Sequence, residues 1–314
     1  MNPFPYAFDN KRYHTLAYHN RQANCKTQKA VLDAGLSCPN LDGTCGVGGC
    51  IFCDGGSGYF TPDHRLSIRE QLELETARIR RKHPQDGIIA YFQAHTNTYA
   101  PMETLRRLYD EALAADIAGI SIATRPDCIG DDVLALLKEI AERKPLTVEL
   151  GLQSSSDETA VRINRGYPYT TFDACFERLH AAGIRVCVHI IDGLPGENTE
   201  QLLETAQALV RLRPEALKIH LLHVIRGTKL AQLYEQGDYV PLTMEAYIDI
   251  VIRQLELLPP ETVIERITGD GDKKKLLAPL WSRDKIRVLG TIDRKMAARN
   301  TWQGRLYSRD DLHL

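Results

Sequence analysis

The feature that most constrains this chain is a regular alternation of aliphatic, β-branched runs with amphipathic helical runs. The pattern predicts strands near 29–36, 87–94, 117–124, 146–153, 184–192 and 216–223, separated by helical stretches such as 101–116, 130–143, 170–183 and 197–213. Local signals agree: Pro101 opens one helix, Asp131 and Asp132 load the first turn of the next, and Gly183 closes the stretch before the fifth strand. Six βα units in series make a parallel sheet, either open and doubly wound or curled into a barrel. No repeat and no low-complexity linker interrupts the series, so one main domain is expected.

Strand parity bears on the choice. Side chains alternate faces along a strand, and the face that packs on helices must be apolar. Ala90, Phe92, Ile122, Val148, Leu150, Leu152, Ile219 and Leu221 fit that face. The opposite face carries Tyr91, Gln93, His95, Ser121, Arg125, Glu149, Gln153, Lys218 and His220. A full barrel fills its interior with branched aliphatics. Burying several ionisable groups costs several kcal/mol unless they form a satisfied network or meet a ligand or water. A wide, incomplete barrel holding a polar ligand is the expected architecture.

Four thiols lie within sixteen residues, in Cys38-Pro-Asn-Leu-Asp-Gly-Thr-Cys45-Gly-Val-Gly-Gly-Cys50-Ile-Phe-Cys53. With no secretory leader in view, disulfides are not expected and the cytoplasm is the expected compartment. The spacing leaves two metals open. Zinc modules usually present two paired C-x-x-C knuckles, and only Cys50 and Cys53 are so paired. An iron-sulfur cluster held by three thiols, with Cys45 as bystander, is the other reading. The loop follows the first strand. Thr96-Asn97-Thr98-Tyr99, Arg125-Pro126-Asp127, Gln153-Ser154-Ser155 and Asp192-Gly193-Leu194-Pro195-Gly196 follow later ones, so all collect at the C-terminal edge where α/β active sites form. That location favours a cofactor site over a structural knuckle.

At 314 residues, 43% hydrophobic and 25% charged, the chain has the composition of a globular protein and carries no apolar stretch long enough to span a bilayer. Its net charge of −2 hides an asymmetry: residues 273–309 hold eleven Lys or Arg against two acids, Asp284 and Asp293. Such a run is either a solvated face or a polyanion-binding surface, with Trp281, Trp302 and Tyr307 interleaved.

These motifs resemble the radical S-adenosylmethionine (SAM) superfamily, and within it the bacterial Elongator-subunit-3-like proteins that lack an acetyltransferase domain. The resemblance rests on the Cys38-to-Cys53 loop, Gln93–Pro101, Ile122–Asp127, Glu149–Ser154, Arg162–Gly166, Gly193–Glu197, Leu222–Val224 and Thr268–Asp270. It implies a partial (β/α)6 TIM-type barrel over 29–260, with an N-terminal extension (1–28) and a basic C-terminal extension (261–314) packed on the barrel. It implies a [4Fe–4S] cluster on Cys38, Cys50 and Cys53, and SAM on the iron without a cysteine. Reduction by a donor such as flavodoxin or ferredoxin would then cleave SAM to a 5′-deoxyadenosyl radical.

Residue by residue, the resemblance places Phe52 near the cluster and adenine. Thr96, Asn97 and Thr98 stand in the turn that holds the methionyl ammonium. Gln153 and Arg165 match a pair that contacts SAM in oxygen-independent coproporphyrinogen oxidase, with Arg165 suited to bind the carboxylate bidentately and Ser154 beside them. His189 stands where that relative has a ribose-binding acid. Gln93, Tyr99, Arg125, Lys218, His220 and His223 are the expected substrate contacts. The implied substrate is a wobble-uridine side chain in tRNA. A small-molecule metabolite is the alternative within the same chemistry, and a zinc-bearing RNA-binding module is the alternative of another class.

Overall fold

The computed structural model describes residues 2–24, 26–55, 61–269 and 271–308. Asp270 and Arg309, expected in a motif and in the basic segment, lie outside the described residues. A seven-stranded parallel sheet forms the centre, in the order β1 (Thr27–Leu32), β2 (Gly87–Phe92), β3 (Gly119–Thr124), β4 (Leu146–Gln153), β5 (Arg185–Asp192), β6 (Ala216–Leu221) and β8 (Val263–Ile267). A small antiparallel pair, β7 (Val224–Ile225) with β9 (Leu276–Ala278), lies beyond the C-terminal end of β6. The first helix, α1 (Leu16–Gln22), precedes β1. The crossovers contain α2 (Ile68–Arg80), α3 (Met102–Leu113), α4 (Asp131–Arg143), α5 (Asp157–Arg162), α6 (Tyr169–Ala181), α7 (Thr199–Leu212), α8 (Lys229–Gln236) and α9 (Met244–Leu257), and α10 (Lys285–Ala298) follows the last strand.

Helix starts follow from local chemistry. Ser67 and Glu70 close a reciprocal capping box on α2, as Asn198 and Gln201 do on α7. Pro101 caps α3, and Asp131 and Asp132 sit in the first turn of α4, complementing its dipole. The apolar strand residues named above all join one core cluster beneath the helices. The polar parity therefore faces inward.

The six strands expected from sequence are present, and β8 adds a seventh within the segment assigned to the C-terminal extension. Lys29 of β1 reaches both Glu149 of β4, at 2.5 Å, and Glu265 of β8, at 3.1 Å. A lysine on one edge strand can touch the middle and the far edge only if the sheet is curled. Along the outer edge of β8, Thr15 bridges Ile264, and Ile264 N–H donates to the His14 carbonyl at 2.7 Å. That segment is tied in turn to the C-terminal region by Lys11–Asp293 at 2.6 Å and by Gln303 N–H to the Arg12 carbonyl.

The basic segment is only partly free. Lys295 pairs with Glu245 and Asp249, and Arg299 with Asp249, all at 2.5–3.1 Å. Trp281, considered above as a base-stacking residue, packs on Tyr247 and donates its indole N–H to the Leu242 carbonyl. It anchors the segment to α9.

Phe92 is fully buried on the helix side of β2, edge-on to Tyr109 with ring centroids 5.2 Å apart. Replacing it with Ala should cost about 3–5 kcal/mol, read in urea unfolding as a lowered midpoint at unchanged slope.

Candidate active site

Cys38, Cys50 and Cys53 converge on a cavity of about 300 Å³ at the C-terminal end of the sheet. The loop that carries them is stitched to the segment after α5. Asn40 Nδ2 donates to the Asn164 carbonyl at 2.5 Å and lies 3.8 Å from Cys50 Sγ; Asn164 Nδ2 returns bonds to the Val47 and Gly49 carbonyls. Two glycines are required by this wrapping: a Cβ on Gly46 would sit 2.0 Å from Asn40 Oδ1, and Gly49 has φ +72° with its missing Cβ directed at Leu41. Burial pushes the Cys50 thiol up to about 12 and raises that of Cys53. Cys45 does not line this cavity. It faces a neighbouring cleft with Thr44, Tyr99, Asp127 and Cys128, and Arg125 Nη2 lies 3.4 Å from its sulfur.

The wall beyond the loop comes from the ends of β2, β3 and β4. Thr96 lines the cavity, whereas Asn97 is buried, with Nδ2 donating to the Phe92 and Ala123 carbonyls; Thr98 bonds Thr124 at 2.5 Å. A register irregularity between Gly151 and Gln153 bends the end of β4, and Gln153 adopts φ +62° as its side chain enters the cavity. Tyr167 donates to the Gly151 carbonyl at 2.7 Å and lies 3.1 Å from Gln153 Oε1. Its ring is within 4.5 Å of the Arg165 guanidinium and 4.8 Å of that of Arg125. Ser154 is turned away, onto Glu197.

Arg165 corrects an expectation. Its Nη1 donates to the Leu152 and Ser154 carbonyls at 2.5 and 2.6 Å, and its Nε to the Tyr167 carbonyl at 3.0 Å. Only Nη2 has no hydrogen-bond partner. Two of the three nitrogens are engaged, so a bidentate grip on a carboxylate does not fit and a single contact does.

The floor is organised by Glu149. This fully buried carboxylate accepts from Tyr91 at 2.6 Å and Ser121 at 2.9 Å, meets His189 Nε2 at 2.8 Å, and pairs with Lys29 and Lys218. Burial alone would raise its pKa, but Lys218, Lys29 and His189 outweigh that and hold it well below the usual carboxylate range. Burial, then the Lys218 charge, lowers His189; burial, then His189, drives His220 far down, so both imidazoles are neutral near pH 7. His220 Nε2 is buried without a hydrogen-bond partner.

The cavity thus gathers Phe52, Gln93, Thr96, Arg125, Gln153, Arg165, His189, Lys218 and His220 with the three cysteines. Tyr99 lies in the neighbouring cleft, bonded to Thr44 at 2.7 Å, and His223 lies against Gly269 and Gly271; neither lines the cavity. Lys29, Tyr167, Glu265 and Arg266 contribute without having been singled out. The alternating parity of β1 was the signal available for Lys29; β8, with burial pattern buried-buried-half-half-buried, offered none for Arg266.

Residues 43–209 match the radical SAM superfamily, and residues 214–298 match the radical SAM C-terminal domain. The chain belongs to the radical SAM superfamily. It is 45% identical to protein YtqA of Bacillus subtilis over 98% of this chain and 97% of that protein. To YhcC of Escherichia coli it is 36% identical over 87% and 88%. Similarity to Elongator complex protein 3 of Saccharomyces cerevisiae, 33% identity, is confined to 52% of this chain and 29% of that protein. The fold resembles Methanocaldococcus infernus Elp3 lacking residues 1–46, with TM-score 0.68 and 16% identity over 89% of this chain and 64% of that one.

Superfamily members are enzymes that use a [4Fe–4S] cluster and SAM. The donor set fits: three soft thiols line one cavity, His220 Nε2 is buried at its wall without a hydrogen-bond partner, and Arg165 Nη2 has only a 3.7 Å ion pair to Asp157. Among the described residues, no three His, Cys, Asp or Glu side chains close on a single point.

Replacing Glu149 with Gln leaves buried Lys218 without its carboxylate partner, while Lys29 keeps Glu265, and should destabilise the protein by about 3–5 kcal/mol at pH 7. Because folding lowers the Glu149 pKa, its contribution is complete above the unfolded value and fades as pH falls through the folded one. The stability difference between wild type and Glu149→Gln in urea should hold from pH 7 to about pH 5 and shrink below about pH 4.

Proposed function

We propose that this radical SAM enzyme uses its cluster, held by Cys38, Cys50 and Cys53, to modify a wobble-uridine side chain in tRNA. When bound, the cluster and SAM supply a radical able to abstract hydrogen. On this reading Thr96 and Gln153 orient SAM from the wall, Tyr167 fixes the Gln153 amide, and Arg165 Nη2 offers one hydrogen bond to the methionyl carboxylate. His189, held by Glu149, presents a neutral imidazole to the ribose. Gln93, Arg125, Lys218 and His220 remain to meet the substrate.

The observation that carries the tRNA reading is the Lys275–Asp54 pair at 3.3 Å. Asp54 directly follows Cys53, so this pair ties the basic segment to the rim of the cavity, with Lys273 and Lys274 exposed beside it. Cations at a rim suit a phosphate backbone whose base must reach inward. The partial similarity to Elongator complex protein 3 points the same way.

Three measurements check this. Anaerobically reconstituted protein should hold about four irons per chain, lost in Cys38→Ala, Cys50→Ala or Cys53→Ala and kept in Cys45→Ala. Stoichiometric zinc in place of iron would sink the assignment. Mass spectrometry of tRNA nucleosides from cells with and without the gene should show a wobble uridine that changes. In the purified system, Lys273→Gln with Lys274→Gln should weaken tRNA binding and flatten its salt dependence by roughly 0.9 log units per lost phosphate contact. An unchanged nucleoside profile would favour a small-molecule substrate.

A further inference from the structure

Arg125 stands at the end of β3, where the following Pro126 favours the extended backbone it adopts and a tight turn over Pro126–Cys128 folds Asp127 back beside it. The two side chains pair bidentately: Arg125 Nε donates to Asp127 Oδ1 at 2.9 Å and Nη2 to Oδ2 at 2.6 Å. Arg125 Nη1 also donates to the Arg165 carbonyl at 2.9 Å, and Nη2 lies 3.4 Å from Cys45 Sγ. Four of the five N–H groups are thereby committed, which leaves one for a guest in the cavity.

The ion pair has a direction. Arg125 lines the cavity with Cys38, Cys50 and Cys53, whereas Asp127 lines the neighbouring cleft with Cys45 and Cys128. Its positive end is therefore turned towards the three ligand thiols and its negative end away from them. The charge acts on them: burial, then neighbouring Cys53, pushes the Cys50 thiol up, and Arg125 opposes both. The other charges around the thiols are weaker candidates for such an effect. Arg165 also acts on Cys50, with exposed Asp157 3.7 Å from its Nη2. Asp54, beside Cys53, pairs with Lys275 at 3.3 Å, and exposed Asp42 acts on Cys45, which is outside the ligand set. On the floor Lys218 is balanced by Glu149, and Arg266 lines the cavity beside them.

Reduction adds one negative charge to an iron-sulfur cluster, and a fixed cation in a low-dielectric wall stabilises that charge. Arg125 meets the requirement, being 9% exposed and laid against the Tyr167 ring at 4.8 Å. We propose that Arg125, aimed by Asp127, raises the reduction potential of the cluster, and that Asp127 limits the size of the effect. Arg125 is on this account a positioning residue for charge: one electron passes from a low-potential one-electron reductant to the cluster, and the guanidinium keeps all its protons. The inference rests on the cluster assignment above and is independent of the substrate.

The test uses anaerobically reconstituted holoenzyme without SAM, titrated with dithionite through viologen mediators. The readouts are absorbance bleaching and the electron paramagnetic resonance signal of the reduced cluster, with iron content measured for every variant. At the potential where wild type is half reduced, the reduced-to-oxidised ratio in Arg125→Gln should fall about tenfold, a midpoint lower by about 59 mV. Asp127→Asn keeps the cation and removes its counter-charge, so its midpoint should rise. Arg125→Lys keeps the charge and should lie closer to wild type than Arg125→Gln does. A midpoint that fails to fall in Arg125→Gln, or fails to rise in Asp127→Asn, would overturn the proposal. So would Arg125→Lys displaced as far as Arg125→Gln, which would mark a loosened loop in place of a lost charge. If Arg125→Gln loads no iron, Asp127→Asn decides alone: a raised midpoint supports the proposal and any other result overturns it. Failure of wild type to load iron would instead count against the cluster assignment.

Discussion

The interior of this barrel is polar, and one carboxylate makes that possible. Glu149 stands on a central strand and takes contacts from five other strands: Lys29 on β1, Tyr91 on β2, Ser121 on β3, His189 on β5 and Lys218 on β6 complete the set around it. Without it, the buried Lys218 ammonium would have no carboxylate partner and would carry a desolvation penalty of several kcal/mol, and half-buried Lys29 would keep only Glu265. With it, the curl of the sheet, the inward face of the strands and the neutral state of both histidines become mutually consistent. The apolar face can then be given over entirely to the helices.

Several residues at the cavity wall act in the scaffold as well as at the site. Arg165 ties the end of β4 to the turn after α5 through three carbonyls, so most of its donor capacity shapes the backbone around Gln153. Tyr167 lies against two guanidinium groups while bonding Gly151 and Gln153. Asn40 and Asn164 exchange bonds across the cysteine loop, holding in place a glycine-rich segment that has little secondary structure of its own. Rigidity supplied by such outer contacts is what keeps ligands within bonding reach of a group they must all address at once.

Much of this was legible in the sequence because period-two alternation is unambiguous when one face is apolar and the other charged. The inward set from Tyr91 to His220 could be read that way. β8 escaped because Glu265 and Arg266 interrupt a five-residue strand, and a short run with two adjacent charges carries no clean period. Partnerships were not legible at all. Nothing local to Arg165 announces that it will bind carbonyls rather than a carboxylate, and nothing local to Lys295 or Trp281 reveals that α9 holds both. Those outcomes depend on which elements become neighbours, which a linear pattern does not encode. Tyr99 and His223 fell outside the cavity because each lies past the end of its strand, where parity no longer fixes direction.

The sheet does not close: β1 and β8 share no ladder, and the gap between them is spanned by the Lys29 side chain to Glu265. In a closed barrel the girth is dictated by strand count and stagger. Here the His14–Thr15 backbone pairs with the outer edge of β8, and on the inner face the Lys29 side chain reaches across to Glu265, so side-chain reach joins backbone hydrogen bonding in setting the girth. Positions 29 and 265 therefore bear on the interior through side-chain contacts, to each other and to Glu149 and Arg185, with no β1–β8 ladder between them. That wall lies apart from the cysteine loop and its supporting asparagines, so the shape of the interior and the hold on the loop depend on separate contacts.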